Sequence, residues 1–205
     1  MTPIRNTTDS FVLTAFSFET ALGVGALVVG WLVGVDPLST IPMTAASLHK
    51  HLLAIVCGVA ATIPLLFGLW LINRLRFRSL IQIRRFVAEH VSPLFEQLSL
   101  FELAAISFAA GFGEEVLFRG LLQTGIAASI GGAVGIAMSI ALVSILFGVC
   151  HWLTPTYAVL ATVAGIYFGL LFLLTGNLLA PLTAHALYDF LALVYLTRWP
   201  ASNDG

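Results

Sequence analysis

Two adjacent glutamates and an arginine lie in a strongly apolar stretch near the middle of the chain. The stretch reads Gly-Phe-Gly-Glu-Glu-Val-Leu-Phe-Arg-Gly and contains Glu114, Glu115 and Arg119. An ionised side chain costs at least about 2.5 kcal/mol at the centre of a bilayer. Glu115 and Arg119 are spaced i and i+4, so on a helix they share a face and can form an ion pair. Glu114 points about 100° away around the helix and has no such partner, which makes it the first candidate for chemistry.

Three further ionisable residues lie in apolar segments later in the chain. His151 ends a long apolar run, and His185 and Asp189 are again spaced i and i+4. A buried structural ion network or a satisfied core histidine is the alternative for each group taken alone. Groups from three separate helices are most economically explained by one shared hydrated cavity. There, a glutamate and two histidines can act on water as general acid and base, or bind a divalent metal that does so.

The composition of the chain is that of a polytopic membrane protein. Of its 205 residues, 59% are hydrophobic and only 9% are charged, and the mean hydropathy is +1.01. An ordinary soluble domain has about 25% charged residues. The formal net charge of -1 also argues against a nucleic-acid partner, because no basic face is present to neutralise phosphates.

The apolar runs predict an all-α polytopic membrane helix bundle, with about six transmembrane helices in a single domain over residues 1–205. The predicted spans are 11–35, 52–72, 100–123, 133–153, 157–174 and 178–196. Between the second and third spans, apolar residues and arginines alternate with a helical period, which predicts an amphipathic helix on the cytoplasmic membrane surface.

Charge distribution sets the expected orientation. Five of the nine basic residues lie within 73–85, which places this segment in the cytoplasm. Two spans precede it and four follow, so both termini are expected in the cytoplasm of a multi-pass cell-membrane protein. The first span is longer than a signal-peptide core and is expected to be retained. Glu19 within it is interpreted as reaching the membrane interface or a neighbouring helix.

Three motifs in this chain resemble those of a known protease family. They are Glu-Glu-x-x-x-Arg at Glu114, Glu115 and Arg119, then Phe-x-x-x-His at Phe147 and His151, then His-x-x-x-Asp at His185 and Asp189. In order, spacing and membrane setting they are similar to the motifs of the CPBP family. This family comprises the CAAX prenyl endopeptidases and the bacteriocin-processing (Abi) intramembrane proteases. The resemblance covers a catalytic core over about 100–196.

The resemblance implies a role for each motif residue. Glu114 and His151 would activate the water that attacks a peptide bond, His185 and residue 189 would stabilise the oxyanion, and Glu115 and Arg119 would hold the site together. Asp189 stands where the prenyl endopeptidases have asparagine, and an aspartate can donate a hydrogen bond only when protonated. Asp189 is therefore expected to stay neutral, to orient His185 or to bind a metal, and the departure disfavours a prenylated substrate.

The cofactor and two other functions stay open on the sequence. Glu114, His151, His185 and Asp189 could form a zinc-type ligand set or a metal-free site. The expected partners are the lipid bilayer and a peptide or protein substrate, reached from the membrane or the cytoplasmic face. A proton- or cation-coupled transporter and a non-catalytic membrane-peptide-binding protein are the alternatives to an endopeptidase. Helical rise also predicts different depths for Glu114 and His151, so pairing them requires a tilted or broken helix.

Overall fold

The computed structural model describes residues 3–41, 44 and 47–198, and within these ranges the chain forms helices and no strand. The helices are α1 (Pro3–Val33), α2 (Leu48–Arg74), α3 (Arg78–Phe86), α4 (Ser92–Phe95), α5 (Leu100–Glu115), α6 (Thr124–Ile130), α7 (Gly132–Cys150), α8 (Pro155–Thr175) and α9 (Leu179–Arg198). π-helical turns at Val87–Val91 and Val116–Gln123 join α3 to α4 and α5 to α6. The predicted all-α membrane helix bundle is confirmed.

Five helical segments in the described part of the chain are long and apolar enough to cross a membrane. They are Ser10–Val33, Leu48–Arg74, Gly132–Cys150, Pro155–Thr175 and Leu179–Arg198. The predicted third span, 100–123, is not among them. That stretch is helical, but the π-helical turn at Val116–Gln123 divides it, and the helix continues beyond the predicted end to Ile130. The whole segment from Leu100 to Ile130 is nevertheless long enough for a tilted crossing, since a helix rises about 1.5 Å per residue.

The bundle places α5 between α1 and α9, while α2 packs on α9 and α7 packs on α8. Glycines permit the closest approaches. A Cβ atom on Gly113 would lie 2.2 Å from the Glu19 carbonyl oxygen of α1, and one on Gly111 would lie 2.8 Å from the Ala186 Cβ atom of α9. Small residues of this kind let membrane helices pack backbone to backbone. The helix that carries the glutamates is thereby held on two sides.

Hydrogen bonds identify the two ends of the bundle. At one end, the Leu178 backbone N–H donates to Thr40 Oγ1 at 3.2 Å. At the other end, the Arg198 guanidinium donates to the Leu98 carbonyl oxygen at 2.6 Å, and the Phe11 ring packs edge-on against Phe95. The start of α1 and the end of α9 therefore lie at the same end of the bundle.

The arginine-rich segment forms a short amphipathic helix at that end. Leu80 and Ile83 of α3 are buried, whereas Arg78 and Arg85 are exposed. Arg84 Nη1 donates to the carbonyl oxygens of Ile72 at 2.5 Å and Leu75 at 2.9 Å, so it caps the carboxyl end of α2. The sequence predicts an amphipathic helix between the second and third spans, and α3 occupies that position.

Candidate active site

The two glutamates form the carboxyl end of α5, and the π-helical turn begins directly after them. A capping box fixes the other end of α5: Ser99 Oγ accepts from the Glu102 N–H, and the Glu102 carboxylate accepts from the Ser99 N–H at 2.7 Å. Arg119 lies in the π-helical turn. Such turns occur frequently at functional sites because they redirect side chains within a helix.

Glu115 is the buried centre of the site. Its Oε1 atom accepts a hydrogen bond from Arg119 Nη1 at 3.0 Å and lies 2.8 Å from His185 Nδ1. Arg119 also donates through Nη2 to the Gly165 carbonyl oxygen at 2.9 Å. The side chains of Glu115 and Arg119 are 0% exposed. The ion pair predicted from the i, i+4 spacing is present, and the contact with His185 connects it to α9.

His151 directly follows α7, and its ring orientation is fixed from one side. Its Nδ1 atom lies 2.8 Å from the Phe147 carbonyl oxygen. A carbonyl oxygen only accepts, so Nδ1 carries the proton of this hydrogen bond. In the neutral ring, Nε2 is then an acceptor, and it lies 3.5 Å from Glu114 Oε2. The structure therefore brings the predicted pair of Glu114 and His151 together.

The predicted difference in depth between these two residues does not keep them apart. Glu114 is 14 residues into α5, which is roughly 20 Å along the helix from Leu100 at 1.5 Å per residue. Because His151 reaches Glu114, the turn between α7 and α8 lies far along α5 from its first residue. The turn lies level with the carboxyl end of α5, although its residues Trp152 and Leu153 are exposed on the surface of the bundle.

His185 and Asp189 complete the group from α9. His185 Nε2 lies 3.4 Å from Asp189 Oδ2 and 4.0 Å from Glu114 Oε2. The exposed fraction of the side chains rises across the site, from 5% for His185 and 12% for Glu114 to 27% for His151 and 31% for Asp189. Buried Glu115 and Arg119 thus form the floor, and the site opens on the side of His151 and Asp189.

Aromatic rings form one wall of the site. The Phe147 ring stacks on the His151 ring with centroids 4.3 Å apart. The Arg119 guanidinium lies 4.8 Å from the centroid of the Phe147 ring. Phe168 of α8 stacks on His185 at 4.9 Å and lies 5.4 Å from Arg119. The motif residue Phe147 therefore supports both a histidine and the arginine. Phe168 serves the same purpose, but nothing in the sequence distinguishes it from other apolar residues of α8.

Glu19 of α1 is a second residue that sequence reasoning left out of the site. It interacts electrostatically with His185, Asp189 and Glu114. Its Oε2 atom is inaccessible to solvent and has no hydrogen-bond partner among the described residues, and the same holds for Glu114 Oε2. A carboxylate inside an apolar span was the available signal, since such residues usually face a cavity.

Four residues of the site, Glu114, His151, His185 and Asp189, are the predicted metal-ligand set. Within the described residues, no three histidine, cysteine, aspartate or glutamate side chains are placed so that they could hold one metal ion. The set of Glu114, His151, His185 and Asp189 does not fit a preformed metal site in this arrangement.

Fold and site together define an all-α membrane helix bundle with a recessed glutamate-histidine site. Residues 96–191 match the family model described as "Type II CAAX prenyl endopeptidase Rce1-like". The matched segment covers slightly less than half the chain and includes all seven motif residues, and it confirms the resemblance to the CAAX protease family. At family level this supports an intramembrane protease. No curated protein and no solved structure is significantly similar to the chain.

Proposed function

We propose that the protein is an intramembrane endopeptidase in which Glu114 and His151 activate a water molecule for attack on a peptide bond. The observation that carries the proposal is the 3.5 Å separation of Glu114 Oε2 and His151 Nε2. When the carboxylate is ionised and the ring is neutral, both atoms are acceptors. Two acceptors this close favour a shared donor, and a water molecule donates two hydrogen bonds.

Proton transfer accounts for the balance of the reaction. Glu114 accepts a proton from the bound water as its oxygen attacks the carbonyl carbon, which gives a tetrahedral oxyanion. The C–N bond then breaks, and the proton moves from Glu114 to the leaving nitrogen, so the products are a carboxylic acid and an amine. General base catalysis of this kind contributes about 10²- to 10⁴-fold to the rate.

His185 is the proposed stabiliser of the oxyanion. Glu115 is paired with Arg119, so its carboxylate accepts and His185 Nδ1 donates. Nε2 can then donate to an oxyanion only when the ring is the doubly protonated imidazolium. Asp189 Oδ2 at 3.4 Å favours that form, because it supplies a negatively charged acceptor beside Nε2. In this proposal Asp189 orients His185 and stabilises its imidazolium form. This role does not require a hydrogen-bond donor at position 189.

Access and orientation follow from the open side of the site. The two most exposed side chains of the site are those of His151, at the α7–α8 turn, and Asp189. The α7–α8 turn connects two successive membrane-spanning helices. If successive helices cross the membrane in opposite directions, this turn lies on the same side of the membrane as the arginine-rich helix α3. We place this side, with both termini, in the cytoplasm because arginines concentrate there. Peptides would enter from the membrane or the cytoplasmic face of the cell membrane.

Hydrolysis of a fluorogenic peptide library by the detergent-purified protein tests the proposal. The parent should cleave at least one peptide, and Glu114→Gln should abolish that cleavage while it leaves the thermal unfolding of the protein unchanged. Glu89→Gln is the matched control, because Glu89 is exposed on the π-helical turn after α3 and far in sequence from the site. Full activity of Glu114→Gln would contradict the proposed base.

A chelator arm addresses the cofactor separately. Cleavage that a strong chelator leaves intact would assign the water to Glu114 and His151 alone, whereas loss with recovery on added zinc would assign it to a metal ion. Absence of any cleavage would favour the other two functions. Ion-dependent flux in proteoliposomes would then indicate a transporter, and peptide affinity without turnover would indicate a binding protein.

A further inference from the structure

An apolar groove lies on the surface of the bundle between α2 and α9, which are both long and apolar enough to cross a membrane. The groove has a volume of about 150 Å³ and is lined by Leu66, Leu69, Trp70, Leu191 and Tyr195. Each of these side chains is partly or largely exposed, so the groove opens outwards to the bilayer. Its α9 residue Leu191 is about 200° around the helix from Asp189, so the groove lies away from the candidate active site.

The groove extends from one end of α2 into the membrane. Leu66 lies eight residues before Arg74, or roughly 12 Å along the helix, so the groove spans most of one leaflet of a hydrocarbon core about 30 Å thick. Arg74 is the last residue of α2. A groove of this depth and position can hold part of an acyl chain whose headgroup lies at the end of the helix.

Trp70 connects the groove to a guanidinium. Its ring lines the groove and stacks on the Phe67 ring with centroids 5.5 Å apart. The Arg74 guanidinium lies 5.5 Å from the centroid of the Trp70 ring, a cation–π contact that holds the two side chains together. Tryptophan and arginine side chains at the end of a spanning helix are typical of the level at which lipid headgroups begin. The charge of Arg74 therefore lies at the mouth of the groove.

The positive charge at this mouth has no negative partner in the described part of the protein. Arg74, Arg76 and Arg78 are exposed, and their side chains form no ion pair or hydrogen bond with a described residue. Arg84 differs, because its guanidinium caps the carboxyl end of α2. The sequence contains no acidic residue over 37–88. Three neighbouring arginines are thus available to an anionic group from outside the chain.

From these observations we infer that the groove and the arginines at its mouth form a binding site for an anionic phospholipid. An acyl chain occupies the groove, and Arg74 donates to the headgroup phosphate, with Arg76 and Arg78 adding positive charge beside it. Basic clusters at the ends of spanning helices bind anionic headgroups in this way. A zwitterionic lipid fits less well, because its own cation would lie among the same arginines. The inference does not depend on the proposed endopeptidase function, since it concerns binding alone.

Native mass spectrometry of the delipidated, detergent-purified protein tests the headgroup contact. Dissociation constants are measured for dioleoyl phosphatidylglycerol and for dioleoyl phosphatidylcholine, which have the same acyl chains. The parent should bind the anionic lipid at least about fivefold more tightly, since one arginine near a headgroup is worth about 1 kcal/mol. Arg74→Gln should lose this preference and Arg74→Lys should keep most of it. The matched control Arg85→Gln, which neutralises an exposed arginine at the other end of α3, should bind as the parent does.

Two results of this measurement would overturn the inference. Equal affinities of the parent for the two lipids would assign the groove to an uncharged apolar occupant. Equal losses in Arg74→Gln and Arg85→Gln would show a diffuse basic surface without a defined site.

The contribution of the groove is tested by removing the acyl chain and by filling the space it would occupy. Glycerol phosphate, which has no acyl chain, should not displace phosphatidylglycerol from the parent. Leu191→Trp fills the groove from α9 and should weaken phosphatidylglycerol binding, and Leu69→Trp fills it from α2 and replaces the first variant if that one does not fold. Leu53→Trp is the matched control, because Leu53 is exposed near the opposite end of α2. Displacement by glycerol phosphate, or unchanged lipid binding in the filled variant, would contradict an acyl chain in the groove.

Discussion

Glu114 Oε2 and His151 Nε2 lie 3.5 Å apart, although one residue ends α5 and the other follows α7. The distance is too long for a direct strong hydrogen bond, but both atoms can contact one water molecule. If they act on the same water, they should act as one catalytic unit. The effects of replacing them should then be strongly non-additive.

A double-mutant cycle tests this coupling. Glu114→Gln and His151→Gln should each lower kcat/KM for peptide cleavage by at least about 10²-fold, because each removes a group that holds the attacking water. The kcat/KM of the double variant should lie within a few-fold of the value for the less active single variant. Losses that multiply in the double variant would show that the two residues act at separate steps.

Glu115 and Arg119 should contribute mainly to stability. Glu115→Gln leaves the buried Arg119 charge without its carboxylate, which is expected to lower the free energy of unfolding by about 3–5 kcal/mol. Replacing both residues together by methionine removes the two charges at once and should cost clearly less. Unfolding by SDS titration in mixed micelles, followed by circular dichroism, compares the variants. A double variant as unstable as Glu115→Gln would mean that packing, and not the unpaired charge, determines the loss.

The sequence predicted the motif residues of the site because ionisable groups are conspicuous in an apolar chain. Spacing along one helix predicted that Glu115 faces Arg119 and that His185 faces Asp189, and the structure has both contacts. The contact of His185 Nδ1 with Glu115 joins residues 70 positions apart, and helical periodicity carries no information about it. Phe168 was missed for a related reason: its ring matters only through its position against His185 and Arg119.

Helix continuity was harder to predict than helix content. The apolar runs predicted the helices of the bundle, but the end of the third predicted span at 123 lies inside a continuous helical stretch that reaches Ile130. The π-helical turn after Glu115 contains Gly120, where a Cβ atom would lie 2.5 Å from the Pro37 carbonyl oxygen, so a side chain has no room there. The contact joins residues that are far apart in sequence, so no local residue pattern predicts it.

Gly113 should be intolerant of any side chain. Gly113→Ala would place a Cβ atom 2.2 Å from the Glu19 carbonyl oxygen and push α1 away from α5, which carries Glu114. Overpacking of this kind typically costs about 1–3 kcal/mol, and we expect cleavage to fall together with the unfolding temperature. Gly68→Ala is the matched control, because nothing lies within 4 Å of a Cβ atom there, and alanine is favoured over glycine in a helix by about 1 kcal/mol. Equal thermal stability of the two variants would contradict the close contact of α1 with α5.

Substitutions of Asp189 distinguish two ways in which its carboxylate could act on His185. The carboxylate oxygen Oδ2 lies 3.4 Å from Nε2, so it can both accept a hydrogen bond and favour the imidazolium electrostatically. Asp189→Asn keeps an acceptor of nearly the same shape but removes the charge, whereas Asp189→Ala removes both. Loss of a hydrogen bond to a charged group costs about 1.5–3 kcal/mol, so Asp189→Ala should lower kcat by about 10- to 100-fold with little change in KM. We expect Asp189→Asn to fall between the parent and Asp189→Ala, because the orienting contact survives without the charge. An asparagine variant more active than the parent would instead assign residue 189 to direct donation to the oxyanion, and would contradict the role proposed for the carboxylate.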